Sequence, residues 1–484
     1  MTPGSPSRVR VTGFLRVLAW SPLGLSGLGL ALVAGILLLL FVIADPLGIE
    51  TGPYSGIFAW VVLPFFFVVG LLLMPLGYLR ARRQLSAEGK LQNRALPVLD
   101  FNNPRLRRNV LLFVCLTFAN LVILSVASYQ GIHTMESSAF CGITCHTVME
   151  PEYTAYRSSP HASVKCVACH VGPGASGFAR SKLAGVRQLV SLARGNYARP
   201  IPAPVENLRP AQETCEACHW PADDHGDRLK ILERFGDDEK STRSVTVLLL
   251  HVGGARKGGG EGHGIHWHMN LAHQITYLAA DRERTKIPWV RSKGPSGKVT
   301  EYLDSEAGLS AAVIARSPKR TMDCIDCHNR PAHRFDLPED AVDAAIRDRQ
   351  LDRALPYLRR QMVAALRASY ADKKSADRGI ADSLQKFYRE QYPEIAARSG
   401  GAIGKAADAA REIYARNIFP EMKVTWGPHP EHIGHERSPG CFRCHDGSHR
   451  SADGKEIGQD CSLCHTLLAI GEEDPPILKT LAGN

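Results

Sequence analysis

The sequence predicts a mainly α protein with much irregular structure, in which three N-terminal transmembrane helices carry an exported domain that folds around cofactors and contains a small β element. Three observations predict this. Three long apolar runs stand at the front of the chain, a pair of cysteines followed at once by a histidine occurs six times behind them, and only one later segment has the periodicity of helices that pack on each other.

The apolar runs cover 23–44, about 56–78 and 110–128. Each approaches or exceeds the roughly 20 residues that a helix needs to cross a bilayer. The third is the shortest and contains Asn120. A cleaved signal peptide would need a shorter apolar core and a small-residue cleavage site, and neither is clear after Ala44, so the first run reads as an anchor. Basic residues set the orientation. Arg8, Arg10 and Arg16 precede the first run, and the second connection carries Arg80, Arg82, Arg83, Lys90, Arg94, Arg105, Arg107 and Arg108, which belong on the cytoplasmic side. The intervening loop, 45–54, has Asp45 and Glu50 and no Lys or Arg. Everything after the third span is then expected outside, which for a bacterial cytoplasmic (inner) membrane is the periplasm.

The repeated words are Cys141/Cys145/His146, Cys166/Cys169/His170, Cys215/Cys218/His219, Cys324/Cys327/His328, Cys441/Cys444/His445 and Cys461/Cys464/His465, and five of the six have the C-x-x-C-H spacing. Two thiols add across the two vinyl groups of one haem, and the next residue then falls beneath the iron, where histidine supplies a neutral imidazole. Zinc ribbons and thioredoxin-like motifs also use C-x-x-C, but neither has a use for histidine after the second thiol. Six such words predict six c-type haems and a haem-packed exported domain. They consume all but one of the thirteen cysteines. The exception, Cys115, lies in an apolar run and reads as a small buried hydrophobe.

A formal net charge of +10 suggests nucleic acid or an anionic membrane as partner. Six haems would add up to about twelve propionates, two for each cofactor. The loaded protein is then far closer to neutral, and a nucleic-acid partner is excluded.

Six of the nineteen histidines belong to the words, leaving thirteen, far more than scattered surface positions require. Distal ligands explain the excess, since two axial nitrogens make the iron six-coordinate and suit it to electron transfer. The candidates are His161, His225, His266, His268, His333, His435 and His449. The first word has three residues between its cysteines, and Met149 follows three after its histidine. Met149 is therefore a further axial candidate, and a thioether would raise that haem's potential; packing is the alternative role for this side chain.

The exported part divides by texture. Region 131–240 holds three crowded words separated by Gly/Pro-rich stretches. Region 241–338 contains SVTVLLLHV, KIPWVR and KVTEYL, which read as strands, the histidine cluster EGHGIHWHMNLAH and the fourth word. Region 339–420 is haem-free, and its apolar residues recur at helical spacing, predicting two or three amphipathic helices broken at Pro356, Pro393 and Gly400/Gly401. That segment is either a docking or dimerisation element, which would make the chain a homo-oligomer, or a spacer packed on the haem domain. Region 421–484 is a C-terminal lobe with two words.

The stretch FCGITCHTVMEPEYTAYRSSPHASVKCVACHVGPG, directly after a membrane helix, resembles the NapC/NirT family of membrane-anchored multihaem quinol dehydrogenases, over roughly 110–220. The resemblance implies that electrons come from the membrane quinol pool, menaquinol or ubiquinol, beside the first haem and leave to periplasmic cytochromes or reductases. It places Met149 near a family methionine ligand, His161 on a family histidine ligand and Lys182 on a lysine near the quinol. A cation there would stabilise developing negative charge on a quinol oxygen. The acidic partner expected about two turns later is replaced by Leu189 and Val190, and Glu152 is the substitute. Typical members have one membrane helix and four haems, so this chain looks like an enlarged form from bacteria that use anaerobic or extracellular respiration. Two other functions compete: a terminal reductase of a nitrogen or sulfur oxyanion, and an electron-carrier subunit of a larger membrane complex.

Overall fold

The computed structural model describes residues 17–18, 21–44, 58–88, 101–144, 146–171, 175–205, 208–220, 225–254, 262–269 and 273–483. The loop 45–54, Arg8, Arg10, Arg16, Lys90, Arg94 and Cys145, together with the side chain of His146, lie outside the described residues. The chain forms two compact units, Met1–Cys145 and His146–Asn484.

The first unit contains α1 (Pro22–Ala44), α2 (Leu63–Ala87), entered through a single π-turn at Phe58–Val62, and α3 (Pro104–Met135). All three are long and apolar enough to span a membrane. Asn103 caps α3 by accepting from the Arg105 amide at 3.0 Å, and proline sits in the first turn of both α2 and α3, where its missing N–H costs nothing. The helices outrun the apolar segments: α2 continues past Arg80, Arg82 and Arg83, and α3 starts before Arg105, Arg107 and Arg108. Long basic side chains can extend toward water while their stems stay apolar, so nothing stops the hydrogen-bond ladder at the lipid boundary. Small residues let α1 and α2 approach closely. A Cβ added at Gly70 would lie 2.6 Å from the Ala31 amide nitrogen, and Gly77 abuts Gly24. Leu32, Ile36, Phe65, Leu72, Leu116 and Phe118 point outward, an apolar surface suited to the hydrocarbon of a bilayer. Cys115 is among these exposed positions rather than buried, because in a spanning helix an apolar side chain is satisfied facing outward.

The second unit opens with α4 (His146–Arg157) and α5 (Ala175–Arg194), with short turns at Cys166–His170 and Ala211–Thr214 and much irregular chain around them. Two antiparallel sheets follow. The first has the order β1-β2-β8, from β1 (Asp227–Phe235), β2 (Arg243–His251) and β8 (His465–Glu472); the second has the order β6-β3-β4-β5-β7, from β3 (Gln274–Leu278), β4 (Trp289–Lys293), β5 (Val299–Asp304), β6 (Arg320–Thr321) and β7 (His449–Ser451). The three segments read as strands are β2, β4 and β5. The others supply their partners, and β8 starts on the histidine of the sixth word, which ties the C-terminal lobe to the middle of the chain. Ile477 and Leu478 of α11 (Pro476–Ala482) pack on Val245, Val247 and Ala469 of the first sheet.

The haem-free segment forms α6 (Pro338–Arg347), α7 (Leu358–Arg367), α8 (Lys373–Gln391), α9 (Pro393–Arg398) and α10 (Gly400–Asn417). Pro356 falls between α6 and α7, Pro393 opens α9, and Gly400 opens α10. Leu355, Leu358, Met362, Leu366, Ile380, Leu384 and Tyr388 are buried almost completely. Each such side chain contributes about 1.5–3 kcal/mol by leaving water. Asp372 and Ser375 close a reciprocal capping box at the start of α8.

Candidate functional site

From the second word to the sixth, each cysteine pair sits on one short helical turn. The histidine of the word donates its amide to the first cysteine's carbonyl at 2.8 Å in the third and fourth words and 3.1 Å in the fifth. Such a turn keeps two thiols and an imidazole within five residues of chain, as a doubly tethered cofactor with an axial ligand requires. Asp323 and Asp460 cap the turns of the fourth and sixth words by accepting from the amides of Ile325 and Ser462.

The histidines come in pairs. His161 lies 6.1 Å from His219 between ring centroids, and His333 lies 6.2 Å from His170. His266 is 6.4 Å from His328, His268 is 5.9 Å from His445, and His435 is 6.2 Å from His465. A metal–imidazole bond of about 2 Å on each side of one iron puts two ring centroids about 6 Å apart. Every word from the second to the sixth therefore has one further histidine at the separation of two axial ligands. Among the described residues no group of three or more His, Cys, Asp or Glu side chains converges as a metal-ion cage. The arrangement fits a planar iron cofactor between two imidazoles and does not fit zinc.

The other nitrogens of several rings are already used. Nδ1 of His161 lies 3.1 Å from the Pro331 carbonyl, that of His268 2.8 Å from Ile265 O, and that of His445 2.6 Å from Gly458 O. A carbonyl accepting from Nδ1–H fixes the tautomer and leaves the Nε2 lone pair for a metal. Burial lowers the pKa of His170, His266, His268 and His328, which keeps these imidazoles in the neutral form that ligates. His266 and His268 share one 3₁₀ turn, Ile265–Met269, yet face histidines of two different words.

Two candidates are not brought opposite a word's histidine. His225 lies 5.7 Å from His266, and its Nε2, the nitrogen a ligand would need, is 2.9 Å from Trp220 O. His449 is buried with both nitrogens occupied, Nδ1 at 3.0 Å from Asp446 and Nε2 at 2.7 Å from the Ile287 carbonyl. It is a packed histidine that joins β7 to the approach of β4. Met149 is half-buried on α4, three residues beyond His146. Lys182 is half-buried on α5. Glu152 is engaged within the second unit: its carboxylate lies 3.4 Å from Arg330 Nη2 and 3.2 Å from His333 Nδ1.

Contacts between successive words are the feature that sequence reasoning does not anticipate. Arg209 reaches Ala168 O of the second word at 3.5 Å and Glu213 beside the third at 3.0 Å. The third and fourth words touch: the turn leading into Cys215 packs against the Cys324–Asp326 turn, which brings the Cys215 and Cys324 sulfurs side by side. Between the fourth and fifth words, Arg443 donates to Asp326 O at 2.7 Å. The Asp326 carboxylate is buried and accepts from Tyr277 at 2.6 Å, Arg284 at 2.7 Å and Arg320 at 2.8 Å. Phe442 of the fifth word stacks on His435, the partner of the sixth, at 4.3 Å. The residues between and beside the cysteines thus hold one word against the next. The only sequence signal for these joints is residue identity: an acid and an arginine in positions that haem attachment leaves free.

The model of the NapC/NirT cytochrome c family, N-terminal region, matches residues 103–200. Over 457 residues the chain is 41% identical to the cytochrome c-type protein ImcH of Geobacter sulfurreducens, a match that covers 94% of this chain and 90% of that protein. No solved structure matches it.

Proposed function

Since the chain belongs to the NapC/NirT cytochrome c family and is a membrane cytochrome that carries haem c and transfers electrons, we propose that it is a hexahaem quinol dehydrogenase. In this reading it oxidises membrane quinol, with menaquinol the first choice, on the periplasmic side of the bacterial inner membrane. Its electrons leave to periplasmic cytochromes or reductases.

The observation that carries the reading is the difference between the first word and the other five. From the second word on, each histidine faces another histidine at about 6 Å, which supports two nitrogen ligands and a closed, electron-carrying iron. The first word has altered spacing and Met149 nearby, and it follows α3 with only five residues between Met135 and Cys141. Covalently held haem supplies one-electron redox capacity at each word; the cysteines tether it and the histidine pairs set its ligation. A quinol loses two electrons and two protons, so the chain must stabilise negative charge on a quinol oxygen and accept the protons. Lys182, half-buried on the helix between the second and third words, supports that role. The paired rings also favour electron transfer over the terminal-reductase reading, which needs an iron with an open position.

The test is a spectroelectrochemical titration of purified protein in liposomes, with iron counted per chain. The expected result is six irons, five centres with two nitrogen ligands, and reduction of all centres by a menaquinol analogue that slows at least tenfold in Lys182→Ala while dithionite still reduces every haem. Full complement with no reduction by quinol would remove the dehydrogenase reading.

A further inference from the structure

The histidine that faces the second word is held differently from the others. His333 Nδ1 lies 3.0 Å from the Glu152 backbone carbonyl and 3.2 Å from its carboxylate Oε2. His161, His268 and His445 have a backbone carbonyl behind Nδ1. Among the described residues, His333 is the one histidine of the five facing pairs that has an ion-pair contact with a carboxylate. Glu152 is itself fixed: its side chain is 15% exposed, its Oε2 sits 3.4 Å from Arg330 Nη2, and Arg330 donates through Nε to His333 O at 2.6 Å. The carboxylate thus meets both the Arg330 guanidinium and the His333 imidazole, and the guanidinium in turn holds the His333 backbone carbonyl.

We propose that Glu152 is a positioning residue for the second haem, acting through His333 to lower that centre's potential. This rests on the paired-histidine reading above. The Nδ1 proton goes to the Glu152 backbone carbonyl, and the carboxylate 3.2 Å away adds a negative charge beside the same ring, which raises the donor strength of Nε2 and stabilises the ferric over the ferrous state. The second word's centre is thereby more reducing than those whose ligands are backed by carbonyls alone. Glu152 leaves the quinol site in this assignment. Its helix, α4, starts at the first word's histidine and carries Met149 and Glu152 in succession, so one rigid element serves two neighbouring centres.

The test compares midpoint potentials of the six-haem protein by spectroelectrochemistry. Glu152→Gln keeps the side chain's shape and removes its charge; one midpoint should rise and five should stay, and Glu152→Asp should recover part of the shift. Arg330→Gln strips the counter-charge from the same carboxylate and should move the same midpoint down. Unchanged midpoints in both Glu152→Gln and Arg330→Gln overturn the proposal. A higher KM for quinol with unchanged midpoints in Glu152→Gln also overturns it and returns the residue to the substrate site. His333→Met separates this from the underlying reading: it should give one haem a methionine-ligated spectrum, and its failure to do so would sink the pairing of His333 with His170 whatever Glu152→Gln shows.

Discussion

Segments 146–220 and 338–417 are about equally long, and they solve folding in opposite ways. In 338–417, leucines, isoleucines, tyrosines and a methionine from five helices close a core in which Leu358, Met362, Leu366, Ile380 and Tyr388 are wholly buried. In 146–220 the buried apolar side chains among the described residues are Pro151, Ala155, Tyr156 and Ala211. The second group is far too small to offset the entropy of ordering the backbone, which costs about 1–2 kcal/mol per residue. What holds that segment is polar and covalent: turns closed over cysteines, arginines bridging neighbouring words, and histidines facing one another across a cofactor's width. One region carries its core in its own sequence, and the other imports it.

The largest expected effect breaks this contrast directly. Replacing Cys166, Cys169, Cys215 and Cys218 by serine should remove the haems of the second and third words and leave 146–220 open to proteolysis, while 338–417 stays resistant. Equal resistance of both segments, measured by timed digestion and mass spectrometry, would show that the haem segment builds a sufficient core alone.

The next effect tests whether polar contacts substitute for that core. Asp326, between the cysteines of the fourth word, is 1% exposed and is met by Arg284, Arg320 and Tyr277. The neighbouring positive charges hold its carboxyl below the usual range despite burial, which pushes the other way. Asp326→Asn leaves two guanidinium groups facing a neutral amide and should cost about 3–5 kcal/mol, the scale of a broken buried ion pair. Denaturant unfolding followed at the haem absorption reads it, and a loss below about 1 kcal/mol would place the network among surface salt bridges.

The division between the regions also explains how much of the molecule is legible in its amino-acid order. The words and spans are legible because haem attachment demands particular residues in a fixed order, and a bilayer demands a fixed length of apolar chain. The joints of 338–417 are legible because Pro356, Pro393 and Gly400 interrupt a clear helical period. Which histidine faces which is not, because pairing joins distant parts of the chain: His333 follows the fourth word and meets the second, and His161 precedes the second and meets the third. His449 shows the converse. A histidine bonded through both nitrogens to its own protein looks the same in sequence as one awaiting iron. The strands β1 and β8 are hidden for local reasons: DRLKILERF is heavily charged, and β8 begins inside an attachment word.

A smaller effect belongs to the self-sufficient region. Leu366→Ala opens a cavity between packed helices and should cost about 2–5 kcal/mol. Since Leu366 lies among bundle residues, the haem spectra and midpoints should be those of the parent protein. A shifted midpoint would show that the bundle holds a haem centre in place, and the contrast between the two regions would then be one of composition only.

The smallest effect is a slope in pH. His432 is 3% exposed and sits against Arg443, whose Nη1 donates to its Nδ1 at 3.0 Å; burial, and then that positive charge, hold its imidazole near 4. An unfolded histidine titrates near about 6.5. Below that value the unfolded chain takes up a proton that the folded chain refuses. The stability due to neutral His432 is therefore complete above about pH 6.5 and falls as the pH drops toward 4, by up to roughly 3 kcal/mol. His432→Asn retains an acceptor for Arg443 and cannot titrate, so unfolding free energy measured across this window should decline less steeply in the variant than in the parent. Parallel slopes would mean that the folded imidazole takes up its proton over the same range as the unfolded one, and the positive charge of Arg443 beside it would then have to be balanced by a negative group.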